Sequence, residues 1–125
     1  KFDITLSSLK DQIPAFPMRR NAIQRAFSNI ISNAIRYSSK TIVYIQKRND
    51  EVIITFDDNG FGIPEERRAD AIRPFIRLEE SRNRRTGGTG LGLSITSDIV
   101  LSHGGELTLG ESPLGGLRVS IKLPI

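Results

Sequence analysis

The sequence contains no cysteine and no tryptophan, and only one histidine, His103, in 125 residues. Without cysteine there is no disulfide, no thiolate metal site and no cysteine nucleophile, and a lone histidine excludes a multi-histidine metal cluster. The missing cysteines fit a reducing compartment. Long apolar runs are missing too: none approaches the roughly 20 residues that cross a bilayer. Nor does a charged, apolar and small-residue series open the chain as a secretory signal would, so a soluble domain is expected. Single-sign charge blocks of the kind that form nucleic-acid tails are absent. The first half also lacks glycine, because all 11 glycines stand at or after Gly60.

The length fits one domain, since single domains run to roughly 100–200 residues. A chain that opens on Lys1 without an initiator methionine reads as a piece of something longer. The net charge of +4 leaves nucleic acid, membrane surfaces and small polyanions open as partners. Residues 65–85 hold seven arginines against five acids, with Arg82, Arg84 and Arg85 crowded together.

Periodicity predicts the elements. From Asn21 to Tyr37 the apolar positions Ala22, Ile23, Ala26, Phe27, Ile30, Ile31, Ala34 and Ile35 follow helical spacing, with Asn21 as the expected cap. Phe2 to Leu6 reads as a first strand. Thr41 to Gln46 and the alternating Val52, Ile54 and Phe56 read as a hairpin about a polar turn at Arg48 to Glu51. Leu93 to Leu101 is helical again and closes at His103-Gly104-Gly105, where glycine suits a left-handed C-cap. Leu107 to Leu109 and Leu117 to Leu123 alternate as a second strand pair, joined through Pro113 and Gly115-Gly116. Arg73 to Gly88 has no clear period and is longer than a compact domain tolerates without a functional reason.

Three constellations carry chemistry. Asn29, Asn33, Arg36 and Tyr37 share one side of the first helix. Asparagine is a mediocre helix former, and two on one stripe suit the oxygen ligation of a hard cation about as well as a solvated face. Asp57-Asp58-Asn59-Gly60-Phe61-Gly62-Ile63-Pro64 ends a strand with glycines that permit close approach and a carboxylate that can accept from an exocyclic amine, although an ordinary turn explains it comparably. Gly87-Gly88-Thr89-Gly90-Leu91-Gly92-Leu93 leads into a helix, where free amides and the dipole favour phosphate. A flexible hinge is the alternative, less favoured with four glycines in six positions. No Gly-Lys-Ser/Thr follows as in a Walker A loop, and Leu93 stands where the last Rossmann glycine belongs.

In their order and spacing these segments, with Pro74-Phe75-Ile76-Arg77 between them, resemble the N, G1, F and G2 boxes of the catalytic ATP-binding domain of sensor histidine kinases. Met18-Arg-Arg-Asn-Ala-Ile and Arg82 to Thr86 are similar to osmosensing EnvZ-type kinases. The resemblance implies an α/β fold of the Bergerat (GHKL) kind, a two-layer sandwich with a mixed sheet under a helical layer and a mobile ATP lid. It implies ATP and Mg2+ as cofactors, with Asn33 as metal ligand and Asp58 accepting from the adenine amino group. Tyr37 would lie against the base and Arg36 would reach the phosphates. Gly60, Gly62 and Ile63 would line the adenine pocket. Gly88, Thr89, Gly90, Leu91, Gly92 and Leu93 would face the triphosphate, Phe75 would anchor the lid, and Arg77, Arg82 and Thr86 would make phosphate or interdomain contacts. The lid would be mobile until the triphosphate orders it.

Asn29 occupies the helical turn where related GHKL hydrolases carry the glutamate that activates water. It cannot act as a base at neutral pH, so the resemblance implies transfer to a histidine on a partner domain. His103 lacks the surroundings of a phosphoacceptor. The expected partners are therefore a helical dimerisation domain bearing the acceptor histidine and a cognate response regulator, with no nucleic acid. The full-length protein is expected to be a homodimeric inner-membrane sensor kinase of bacteria, and the present piece a monomeric cytoplasmic domain. Another GHKL ATPase or serine kinase, or a non-catalytic nucleotide-sensing module, is the alternative.

Overall fold

The computed structural model describes residues 19–72 and 92–125 and the backbone course of residues 3–8. Strand β1 (Asp3–Ser8) comes first and helix α1 (Arg20–Tyr37) follows. Two long strands, β2 (Lys40–Arg48) and β3 (Glu51–Asp58), form a hairpin whose turn places Asn49 at a φ of 57°. Asparagine tolerates this left-handed conformation because its short side chain bonds locally. A 3-10 turn at Glu65–Arg67 leads into the short helix α2 (Arg68–Ala71). The described chain resumes with helix α3 (Gly92–Ser102) and ends in the hairpin of β4 (Glu106–Glu111) and β5 (Leu117–Pro124).

The five strands form one sheet in the order β1-β2-β3-β5-β4. The β1–β2 pair is parallel and the other three pairs are antiparallel, so the sheet is mixed as expected. Strand alternation sorts the side chains. Val43, Val52, Ile54, Phe56, Val119 and Ile121 point to the face that α1 and α3 cover, and there they join Ile23, Ile30, Leu93 and Val100 in one buried cluster. Phe27 of α1 meets Phe56 of β3 edge to face at 5.7 Å between centroids, a preferred aromatic geometry.

The expected Asn21 cap is not found. Helix α1 begins one residue earlier, and Arg19 is its N-cap, with extended backbone and no capping bond from its own side chain. The Arg19 N–H instead donates to His103 Nε2 at 3.0 Å, and the Arg19 carbonyl accepts the first helical bond from Ile23. A distant imidazole thus secures the helix start in place of a local side chain. At the end of α3, Gly104 adopts a φ of 79°, its N–H donates to Leu101 and the Gly105 N–H donates to Val100. This is the Schellman arrangement that the His-Gly-Gly sequence predicts. The lid expected between Arg73 and Gly88, with Phe75, Arg77, Arg82, Thr86 and Gly88, lies outside the described residues, as do Thr89, Gly90 and Leu91.

Candidate functional site

Helical spacing and strand alternation bring the asparagine helix and the D-x-G-x-G segment to one place. Asn33 is half-buried on α1, one turn before its end. Asp58, the last residue of β3, has the same orientation as Phe56 and so faces the helical layer. Both line a cavity whose polar groups are Asn33, Thr41 and Asp58. Its apolar walls are Ile30, Ala34, Phe56, Leu93, Leu117 and Val119. A few convergent polar groups on an apolar floor are the usual composition of a small-molecule site.

The Asp58 carboxylate is held rigidly. Its Oδ1 accepts from the Gly60 N–H and from the Leu117 N–H, each at 2.9 Å. Gly116 N–H donates to the Asp58 carbonyl at 3.1 Å, so the β4–β5 turn clasps this residue from two sides. Space is correspondingly short. A Cβ on Gly116 would overlap Asp58 Oδ1 and the Gly60 nitrogen, and one on Gly60 would overlap the Tyr37 carbonyl oxygen. Gly62, with a φ of 73°, packs against the Gly116 carbonyl. Asn59 closes the corner by accepting from the Ser39 and Lys40 N–H groups, each at 3.0 Å.

The other expected residues surround this centre. Asn29, one turn before Asn33, donates from Nδ2 to the Gly92 carbonyl at a long 3.5 Å. That carbonyl also accepts from Thr96 Oγ1 at 2.8 Å. Asn29 thus ties α1 to the first residue of α3, while Leu93 is buried at the cavity wall. Arg36 is exposed in the last turn of α1 and Tyr37 is half-buried. Ile63 packs at the edge of the core, and its carbonyl accepts from Arg68 Nε at 2.9 Å. The arrangement therefore joins Asn33, Asp58 and Leu93 in one cavity, with Gly60 and Gly62 behind Asp58.

Four contributors escape the motif reading. Thr41 lines the cavity with no exposed surface, and Leu117 and Gly116 belong to a segment whose sequence signals only a turn and a strand start. Thr41 stands in the same alternation as Val43, the signal that points it inward. The fourth is Arg118. Asp57 points away from the helices yet is only 1% exposed, and Arg118 grips both its oxygens from Nε and Nη2 at 2.7 and 2.8 Å. These hydrogen bonds raise the Arg118 pKa above its ordinary value, against the opposing effect of burial. The pair fixes β3 to β5 at the residue preceding Asp58.

Among the described residues no group of three or more histidine or acidic side chains could cage a metal ion. An amide oxygen such as that of Asn33 is a chemically suitable donor for a hard cation that takes most of its oxygens from water and a bound phosphate, the usual habit of Mg2+. No helix among the described residues is long and apolar enough to cross a membrane.

Residues 18–125 match the family described as histidine kinase-, DNA gyrase B- and HSP90-like ATPase. The sensor histidine kinase CpxA of Escherichia coli is 45% identical over 106 residues, covering 84% of this chain and 23% of that protein. The chain thus spans about a quarter of the length of such relatives. The ATP binding domain of PrrB from Mycobacterium tuberculosis superposes with a TM-score of 0.72 at 27% identity, over 97% of this chain and 80% of that one. Full-length ShkA in complex with AMPPNP, at 20% identity, has the same fold with a TM-score of 0.80, over 98% of this chain and 25% of that one.

Proposed function

From the premise that the chain belongs to the histidine kinase-, DNA gyrase B- and HSP90-like ATPase family, we propose that it binds Mg-ATP and donates the γ-phosphate to a histidine of a separate helical dimerisation domain. In this reading it is the cytoplasmic catalytic part of a bacterial inner-membrane sensor kinase that passes its phosphate to a response regulator. The observation that carries the proposal is the Asp58 carboxylate at the cavity floor. Two backbone amides are bonded to its Oδ1, which leaves Oδ2 to accept from the adenine amine.

The remaining residues take their parts from position. Asn33, in the same cavity, would hold magnesium through its amide oxygen, and the ion would neutralise the phosphates. Arg36 and Tyr37, in the last turn of α1, are the cation and the aromatic closest in sequence to Asn33. Asn29 supports transfer over hydrolysis, because its amide is engaged with Gly92 and offers no base for water. Catalysis then reduces to positioning and charge neutralisation, which suffice for phosphoryl transfer to a good nucleophile. His103 is not the acceptor in this reading, since its Nδ1–H donates to Ile99 O at 2.8 Å and its Nε2 accepts from Arg19.

Labelled Mg-ATP mixed with this domain and a helical partner tests the function. The expected product is acid-labile phosphohistidine on the partner. Phosphoserine, or free phosphate released equally without the partner, would refute it in favour of a serine kinase or a hydrolase. Nucleotide binding with no transfer would instead favour a sensing module.

A further inference from the structure

Thr41 carries a cost that the fold does not explain. It has no exposed surface, and its Oγ1 is the single buried side-chain polar atom among the described residues that lacks a hydrogen-bond partner. An orphaned buried hydroxyl is expensive, and valine would fill nearly the same volume without the penalty. Packing alone therefore favours valine here. Val43, two residues on and on the same face of β2, shows how the strand otherwise meets the core.

Its location supplies the missing reason. Thr41 is the direct cross-strand partner of Asp58 in the β2–β3 pair, so the two side chains leave the same face about 5 Å apart at Cβ. Both line the cavity. A carboxylate at neutral pH only accepts, whereas a threonine hydroxyl donates as well. Side by side they form an acceptor next to a donor. Adenine presents the complementary pair, an amine donor beside a ring-nitrogen acceptor.

We propose that Thr41 is a second base-reading residue, whose hydroxyl donates, directly or through one bridging water, to the adenine ring nitrogen adjacent to the amine that Asp58 accepts. This rests on the adenine site proposed above and adds a specificity determinant to it. Guanine inverts the edge, placing a carbonyl against Asp58 and a ring N–H against Thr41.

The test is calorimetric titration of the wild-type domain, Thr41→Val and Thr41→Ser with ATP and with 1-deaza-ATP, in which that ring nitrogen is replaced by C–H. Wild type and Thr41→Ser are expected to bind ATP roughly three- to tenfold more tightly than the deaza analogue, the effect of one hydrogen bond. Thr41→Val is expected to bind both alike, at the weaker level, and to resist urea at least as well as wild type without nucleotide. Unaltered discrimination in a folded Thr41→Val would overturn the role of Thr41 while leaving the adenine site standing. Failure of the wild-type domain to bind ATP at all would overturn the site itself, and this inference with it.

Discussion

Asp57 and Asp58 are adjacent carboxylates with opposite environments, and a single step along a strand separates them. Asp57 turns to the sheet face away from the helices and is neutralised by the fork of Arg118, while Asp58 turns to the cavity and is held by main-chain amides. The alternation is legible in sequence. The partners are not, because Arg118 and Leu117 lie 61 and 59 residues further along and arrive only through the β3–β5 register. Gly116 is the sharpest case of such hidden constraint. Its replacement by alanine drives a methyl group into Asp58 and the Gly60 amide, neither of which can yield without breaking the clasp. Gly116→Ala should lower stability by about 1–3 kcal/mol, the usual range for overpacking, and weaken ATP binding with it. Gly110, in the neighbouring strand, has open space for 4 Å around the point where a methyl group would sit, so Gly110→Ala should leave both unchanged. Urea unfolding and ATP titration of the two variants make the comparison. Equal behaviour would show that the turn does not hold Asp58.

At the scale of elements, the helical layer is joined by a few polar bonds across α1 and α3. Thr96 Oγ1 reaches the Gly92 carbonyl and, at 3.4 Å, that of Ala26, and Asn29 reaches Gly92 from the other side. His103 completes the junction beyond the end of α3 by capping the start of α1. Helix spacing and the glycine C-cap are readable in the sequence because both are local properties of the chain. The start of α1 is not, because its capping acceptor comes from a residue 84 positions away while Asn21 stands nearer with the right chemistry. His103→Ala should therefore destabilise the domain by roughly 0.5–1.5 kcal/mol, the net worth of one hydrogen bond, yet retain phosphotransfer to the helical partner. Thermal unfolding and the transfer assay separate these outcomes. Loss of transfer in a folded His103→Ala would give the imidazole a chemical part that its two hydrogen bonds argue against.

For the molecule as a whole, the sheet order sets the site. Placing β5 between β3 and β4 carries the β4–β5 turn to the end of β3, where it meets the D-x-G-x-G segment. Neither hairpin alone would hold Asp58. The mixed sheet and the meeting of Asn33 and Asp58 at one cavity are legible through a family resemblance carried by motif order. The strand order is not, since long-range register leaves no local pattern. That Asp58 reads the adenine amine is the claim on which the proposed function turns. Calorimetry with Mg-ATP and Mg-GTP on the wild-type domain and on Asp58→Ala tests it most directly. Loss of a charge-assisted bond predicts roughly ten- to hundredfold weaker ATP binding by a folded Asp58→Ala. The wild-type preference for ATP over GTP should disappear with it. Unchanged ATP affinity in the folded variant, or equal binding of ATP and GTP by the wild type, would contradict the claim.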